Sequence, residues 1–195
     1  MKRLLLVTRD RHPWPLDQTR ARKYDALAKL VELRVLGCGP AHSDERYSFA
    51  PPRPVVDLAL LPARVAREMR AFRPDAVLVQ GVHEAAGVLA ARSLARSRAR
   101  VILDVQGDWR GAARHYGSPA RRPFAPLADA VAPVAVRRVD AVRAVSSQTA
   151  QLVRDLGVEP AAVFPPYVDD ETFGGAPERL PAEPRALFVG ALERV

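Results

Sequence analysis

The chain has 195 residues, of which 48% are hydrophobic and 27% charged, so it can bury the core of one domain and does not have the composition of a disordered protein. Its net charge is +8, carried by 27 arginines and three lysines. The excess of arginine is compatible with an anionic partner, and codon-composition bias explains it equally well. A single cysteine excludes internal disulfides, and no apolar run approaches the roughly 20 residues that span a bilayer. The first apolar run is too short for an export signal, so we expect a cytoplasmic protein.

The first third of the chain predicts two strands and two helices. Arg3–Thr8 has the length and apolar character of a strand, and the helical spacing of Asp17–Lys29 predicts the helix after it. Val31–Leu36 predicts the second strand. Residues 38–56 contain four prolines and no helical period, so we expect a surface loop there. Apolar residues three or four positions apart then predict a helix over Asp57–Phe72.

The same alternation continues through the rest of the chain. Strands are predicted at Ala76–Gln80, Arg100–Val105, Ala141–Val145 and Ala161–Phe164. Helices are predicted at Glu84–Ala95, Pro126–Arg138 and Ser147–Leu156, the last with Ser146 or Ser147 as N-cap and Gly157 as its stop. Several strands are apolar at consecutive positions, as in parallel strands covered on both faces. The pattern therefore predicts an α/β protein with a doubly wound parallel sheet.

Polar side chains follow several predicted strands, where open parallel sheets bind their ligands. The candidate site residues are Arg9, His12, His83, Glu84, Gln106, Gly107, Asp108, Trp109 and Arg110. Ordinary structural explanations exist too: Glu84 and Asp108 are suited to helix starts, and His12 to a surface position or one where its hydrogen bonds are satisfied within the protein. We predict that Trp109 either packs the corner after its strand or stacks on a ligand.

The sequence lacks the motifs of several common kinds of binding and catalytic site. The chain lacks Gly-x-Gly-x-x-Gly after its first strand, a phosphate-binding loop ending in Lys-Ser or Lys-Thr, and a Gly-x-Ser-x-Gly elbow. Its histidines and acids are not spaced as metal ligands, so no metal is expected. Its arginines are not interleaved with aromatic residues, so nucleic acid is not an expected partner.

Four stretches together resemble the N-terminal half of family-four retaining glycosyltransferases. They are FRPDAVLVQGVHEAAGVLAAR (72–92), VILDVQGDWRG (101–111), RRVDAVRAVSSQTAQLVRDLGVEPAAVFPPYVDDETF (137–173) and RALFVGALERV (185–195). The third, with Val-Ser after a strand and Asp-x-x-x-Phe at Asp169–Phe173, carries the resemblance most specifically. The resemblance implies a Rossmann-like domain of the two-domain GT-B fold.

The resemblance implies that this half binds the acceptor, while the other half binds a nucleotide-sugar without a metal. The family has a histidine after the strand that corresponds to Arg100–Val105, and Gln106 occupies that position here. A glutamine hydrogen-bonds a hydroxyl but does not titrate. We therefore expect Gln106 to bind and orient at the reacting centre, with Asp108 beside it as the second catalytic candidate.

The resemblance also implies a domain organisation. Residues 1–168 would form the acceptor-side domain, 169–185 a linker, and 186–195 the first strand of a donor-binding domain in which Gly190 contacts the donor. A chain that carries only half of the cleft is expected to be inactive alone, because transfer needs donor and acceptor held together.

Two other functions remain open at this point. The chain fits a stand-alone Rossmann-like module that binds an anionic ligand or membrane surface, and it fits an unrelated doubly wound enzyme such as a nucleotide-sugar epimerase. Family members with lipid-linked acceptors dock basic faces on membranes, so we predict a peripheral contact with anionic membrane. The arginines expected to face it are those at 92, 96, 98, 100, 110, 114, 121 and 122.

Overall fold

The computed structural model describes residues 1–110 and 125–168. The strands are β1 Arg3–Arg11, β2 Glu32–Cys38, β3 His42–Ser43, β4 Tyr47–Ala50, β5 Ala76–Gln80, β6 Arg100–Val105, β7 Ala141–Ala144 and β8 Ala162–Val163. The helices are α1 Gln18–Ala28, α2 Pro54–Phe72, α3 Val82–Leu94, α4 Ala125–Arg138 and α5 Ser147–Arg154. The predicted linker, the strand after it, Asp169–Phe173 and Gly190 lie outside the described residues.

The described strands form one sheet in the order β3-β4-β2-β1-β5-β6-β7-β8. Neighbouring strands are parallel except for β3 and β4. The chain leaves β1 towards β2 and later returns to pair β5 on the other side of β1, so the winding direction reverses at β1. This confirms the predicted α/β fold with a doubly wound, mostly parallel sheet.

Both faces of the central strand β1 are buried, which explains its consecutive apolar residues. Leu5 and Val7 belong to the apolar cluster that α2 and α3 form on one face. Leu6 points to the opposite face and packs with Tyr24 of α1. The two faces are called the α3 side and the α1 side below.

The helix ends follow the capping signals in the sequence. Asp17 caps α1 by accepting a hydrogen bond from the backbone N–H of Arg20 at 2.9 Å. Ser146 caps α5 in a reciprocal pair with Thr149, and Gly157 adopts a φ of +76° just after this helix. The predicted start of α5 at Ser147 is confirmed, and α1 begins one residue after the predicted Asp17.

The expectation of a surface loop over residues 38–56 is wrong. β4 runs parallel to β2, and its residues Tyr47, Ser48 and Phe49 are buried. The prolines at 40, 51, 52 and 54 lie on either side of β4, so none of them removes a hydrogen bond from its ladder. This strand adds an edge to the sheet where the sequence suggests an unstructured connection.

Candidate functional site

The carboxyl edge of the sheet has its topological switch point between β1 and β5. In open parallel sheets, such a point leaves a crevice because the connections on either side run to opposite faces. The polar residues at the ends of β1, β5 and β6 therefore define the candidate site, and they form two clusters on the two sides of the sheet.

The first cluster is an ion pair on the α3 side. Arg9, near the end of β1, donates from Nη1 to Glu84 Oε1 at 2.7 Å. Glu84 is buried in the first turn of α3, where a negative charge is favoured by the helix dipole. The structure thus brings together two of the residues that the sequence predicts to bind the acceptor.

Gly81 makes room for this ion pair. Its φ is +108°, and a Cβ at this position would approach Glu84 Oε2 to 2.1 Å. Glycine therefore satisfies both the backbone conformation and the close approach of the carboxylate. His83, the next predicted residue, is half-buried, and its Nε2 is buried with no hydrogen-bond partner in the described part of the chain.

The second cluster, called the Asp104 cluster, lies on the α1 side. The Asp104 carboxylate is only 1% exposed and accepts a hydrogen bond from Arg143 Nη1 at 2.6 Å. It also accepts from Gln106 Nε2 at 2.7 Å and from Gln80 Nε2 at 3.4 Å. Arg143 in turn donates from Nη2 to the backbone carbonyls of Phe164 and Pro165. The cluster ties together the ends of β5, β6 and β7 and the chain after β8.

The Asp104 cluster fixes the orientation of Gln106. Because the amide nitrogen of Gln106 is bound to Asp104, its carbonyl oxygen is left as the hydrogen-bond acceptor for a ligand hydroxyl. Gln106 is itself exposed. Sequence reasoning selected Gln106 but missed Asp104, Gln80 and Arg143. The signal that could have found them is a polar residue inside an otherwise apolar strand, because a polar side chain that is buried needs a hydrogen-bond partner.

Asp108 is engaged with the side chain two residues further on. Arg110 donates from Nε at 3.0 Å and from Nη2 at 2.8 Å to the Asp108 carboxylate. These hydrogen bonds hold the pKa of Asp108 below its usual value. A carboxylate that stays ionised and paired is a poor proton acceptor, so this geometry favours a binding role over general-base catalysis.

Trp109 packs against the protein, as one of its two predicted roles requires. Its side chain is buried and belongs to the apolar cluster of the α3 side. It also borders a 280 Å³ cavity, together with Arg110 and residues of α4 and α5 such as Pro133 and Leu152. Gly107, before it, is exposed, and a Cβ there would meet nothing within 4 Å.

His12 occupies a core position. It is 2% exposed, its Nε2 lies 2.7 Å from the hydroxyl of Tyr24, and its Nδ1 lies 2.9 Å from the carbonyl oxygen of Asp10. Its ring stacks on Phe49 at 4.8 Å, and burial lowers the pKa of His12. Both ring nitrogens are engaged within the protein, so the geometry gives no support to the predicted acceptor-binding role.

The family model of Glycosyltransferase Family 4 matches residues 21–172. This match spans most of the chain. The chain belongs to glycosyltransferase family 4. Among curated proteins, none matches it significantly.

Solved structures with a similar fold include two epimerases. The chain is similar to UDP-N-acetylglucosamine 2-epimerase from Rickettsia bellii, with 13% identity, a TM-score of 0.54, and coverage of 85% of this chain and 44% of that chain. It is also similar to UDP-GlcNAc 2-epimerase from Methanocaldococcus jannaschii, with 11% identity, a TM-score of 0.52, and coverage of 85% and 45%. At such identities the likeness shows the fold alone, which is the Rossmann-like N-terminal half of a GT-B enzyme. The chain spans less than half the length of these epimerases.

Part of the basic face predicted for this family-four domain lies away from the candidate site. Arg92 is in the last turn of α3, and Arg100 begins β6, with Arg96 and Arg98 between them. Parallel strands begin at the amino edge of the sheet, so these arginines lie opposite the carboxyl edge. The predicted membrane contact of these arginines stays a prediction. Arg114, Arg121 and Arg122 lie outside the described residues.

Residues 1–110 and 125–168 contain neither a membrane-spanning helix nor a metal-binding group. No helix in those ranges is both long and apolar enough to cross a membrane. Within the same ranges, no group of three or more His, Cys, Asp or Glu side chains is arranged to hold a metal ion. The expectation that transfer needs no metal stays a prediction.

Proposed function

We propose that this family-four domain binds the acceptor in a retaining glycosyltransferase, which transfers a hexosyl group from a nucleotide-sugar. The observation that carries the proposal is the orientation of Gln106 at the carboxyl edge of a domain whose family is glycosyltransferase family 4. Its carbonyl oxygen is available to a hydroxyl, and Arg9 and Glu84 form an ion pair at the carboxyl edge on the α3 side. In this proposal the domain positions the acceptor hydroxyl, and the nucleotide-sugar is bound by residues outside the described ranges.

The proposal is tested with the full-length protein that contains this chain. A panel of nucleotide-sugars and hydroxyl-bearing acceptors is screened for acceptor-dependent release of nucleoside diphosphate, and the anomeric configuration of the product is read by NMR. Gln106→Ala is expected to lower kcat/KM for the acceptor about five- to tenfold, since a lost hydrogen bond to substrate costs about 1–1.5 kcal/mol. Gln148→Ala, at an exposed glutamine of α5, is the matched control. Inversion of configuration, or equal kinetics for both variants, would contradict the proposal.

The 195-residue chain alone is expected to show no transfer, because proximity between the two bound substrates supplies a large part of the rate. Robust transfer by the purified chain without a partner would refute this. Epimerisation of a nucleotide-sugar by the full-length protein, with no acceptor required, would favour the epimerase alternative.

A peripheral membrane contact is a second candidate function, supported by the first half of α2. This helix begins at the carboxyl edge because β4 runs parallel to β2 and ends there. It exposes Val56 (47%), Leu58 (41%) and Leu60 (47%), and the exposed Arg53 precedes it. Val56 and Leu60 are four residues apart and share one face of the helix, and exposed apolar side chains beside a basic one fit the surface of an anionic bilayer.

Vesicle co-sedimentation tests this second candidate. The protein is expected to bind anionic vesicles, and the binding is expected to weaken as salt screens the charges. Val56→Ser combined with Leu60→Ser is expected to reduce binding, whereas Leu30→Ser, at an exposed leucine outside α2, is the control. Equal binding to neutral vesicles at high salt would contradict the membrane contact.

A further inference from the structure

Four arginines and a leucine form an exposed patch at the amino edge of the sheet, at the opposite end of the domain from the candidate site. The arginine side chains form no ion pair or hydrogen bond with the residues that the structure describes, and the leucine is 57% exposed. The patch, called the amino-edge patch, consists of Arg73, Leu94, Arg96, Arg98 and Arg100.

Strand register and a contact between two helices bring these residues together. β5 and β6 are parallel neighbours, and the backbone N–H of Arg100 donates to the carbonyl oxygen of Asp75 at 3.0 Å. Arg73 lies two residues before Asp75. Arg70 of α2 donates from Nη2 to the carbonyl oxygen of Leu94 at 2.6 Å, so the C-terminal ends of α2 and α3 lie side by side.

The acidic side chains beside the amino-edge patch are already bound within the protein. Asp75 accepts a hydrogen bond from the backbone N–H of Arg3 at 2.8 Å and lies 3.9 Å from the ammonium of Lys2. Asp140, just before β7, accepts from Arg92 Nη1 at 2.5 Å. The four arginines of the patch therefore keep their positive charge for a partner.

Two of the four arginines occupy backbone positions that favour glycine. Arg73 ends α2 and Arg96 follows α3, and each has a φ of +50°. A side chain strains this left-handed conformation, and such strain is typical of positions where the side chain has a function. The helix dipole does not explain these arginines, because a cation in the last turn gains that attraction without strain, and Arg70 and Arg92 already lie there.

The composition and position of the patch favour an acidic protein over a bilayer. Protein interfaces combine an apolar centre with a polar rim and are enriched in arginine. The start of α2, which is the candidate membrane contact, lies at the other end of this 19-residue helix, about 28 Å away. One flat bilayer does not reach both edges of the domain, so a soluble partner is compatible with that contact.

We propose that the amino-edge patch is an interaction surface for an acidic segment of a partner protein. An apolar side chain of that segment packs on Leu94, and its carboxylates pair with the four arginines. The planar guanidinium group matches a carboxylate through two parallel hydrogen bonds. This inference does not depend on the proposed transfer function, because the patch lies at the edge opposite Gln106.

The test is an NMR titration of the 195-residue chain with two synthetic peptides. The leucine peptide consists of glutamate with a leucine at every third position, and the serine peptide has serine in place of each leucine. The leucine peptide is expected to shift the backbone amides of residues 94–100 and of the C-terminal end of α2, and to bind more weakly as salt is raised. Leu94→Ser is expected to lower its affinity to that of the serine peptide.

Arg73→Gly combined with Arg96→Gly separates binding from folding. This double variant is expected to unfold at the same urea concentration as the wild type or a higher one, because glycine relieves the strain at both positions. It is expected to bind the leucine peptide about fivefold more weakly, the size of two lost ion pairs at an exposed surface. Arg11→Gln combined with Arg53→Gln removes the same charge from exposed positions at the carboxyl edge and is the matched control.

Three results would overturn the inference. The first is a double variant that binds the leucine peptide as tightly as the wild type, or a control that loses as much binding as the double variant. The second is equal binding of the two peptides to the wild type, since the patch would then take any polyanion. The third comes from phosphatidylserine vesicles: tighter binding to them than to the leucine peptide, lost in the double variant, would assign the patch to a membrane.

Discussion

Replacing Asp104 with asparagine tests whether the Asp104 cluster holds the carboxyl edge together. The wild-type carboxylate accepts hydrogen bonds from Arg143 at 2.6 Å, from Gln106 at 2.7 Å and from Gln80 at 3.4 Å. Asparagine has nearly the same size, but one of its terminal groups is a donor, so at least one of these donors would face another donor. The change also removes the negative charge that compensates Arg143, whose side chain is only 14% exposed.

The expected cost of Asp104→Asn is about 3 kcal/mol in the free energy of unfolding. Removing one partner of a buried ion pair costs about 3–5 kcal/mol, because the other charge remains buried. The lower end applies here, since Arg143 keeps its hydrogen bonds to the carbonyls of Phe164 and Pro165. Domains are stable by about 5–15 kcal/mol, so the variant is expected to fold but to unfold at a clearly lower urea concentration.

The assay is equilibrium urea unfolding followed by the fluorescence of the two tryptophans. Asp108→Asn is the matched control, because its partner Arg110 is 63% exposed and exposed ion pairs contribute little to stability. Asp104→Asn combined with Arg143→Gln is expected to cost less than the sum of the single variants, since the two side chains interact directly. A cost for Asp104→Asn no larger than that for Asp108→Asn would refute the reasoning.

Two further predictions concern Gly81 and His12. Gly81→Ala is expected to lower the free energy of unfolding in urea by about 1–3 kcal/mol, because it combines a positive φ with a clash against Glu84. Gly107→Ala, where an added Cβ has open space, is expected to cost less than about 0.5 kcal/mol. Equal costs for the two variants would contradict this account. Because burial lowers the pKa of His12 below its ordinary 6.5, the unfolded chain takes up a proton that the folded chain resists, so the free energy of unfolding should fall as pH drops below about 6.5. The urea midpoint of unfolding, measured above and below that pH, should fall less with decreasing pH in His12→Gln than in the wild type, and His42→Gln is the control. A fall in His12→Gln as large as in the wild type would exclude His12 as the cause.

The alternation of apolar runs was sufficient to predict most of the sheet, because each predicted run within the described residues overlaps a strand of the structure. Ala76–Gln80 and Arg100–Val105 are predicted with the bounds that the structure shows for β5 and β6. β4 was missed because its four residues are too few to establish the alternation of a strand. Its residues Tyr47 and Phe49 are buried by the neighbouring strand and by His12 and Trp14, which lie far away in sequence.

The candidate site was only partly predictable, because its decisive contacts depend on strand register. Searching after each strand finds Arg9, Glu84 and Gln106, since that is where ligand residues of parallel sheets lie. Asp104 and Arg143 lie inside strands, and only the register that places Asp104 opposite both Gln80 and Arg143 makes them partners. Sequence alone shows a polar residue near the end of each of three apolar runs, without showing that the three side chains meet.

The ion pairs at the carboxyl edge limit what this part of the domain can do in the proposed function. At each cluster the acid is paired with an arginine of the same chain, Glu84 with Arg9 and Asp104 with Arg143. Asp108 is likewise paired with Arg110. The amide nitrogen of Gln106 is bound to Asp104, so its carbonyl oxygen is the group left to accept a hydrogen bond from a ligand. In the proposed function Gln106 therefore orients the acceptor hydroxyl, since a glutamine amide does not titrate and cannot take up its proton.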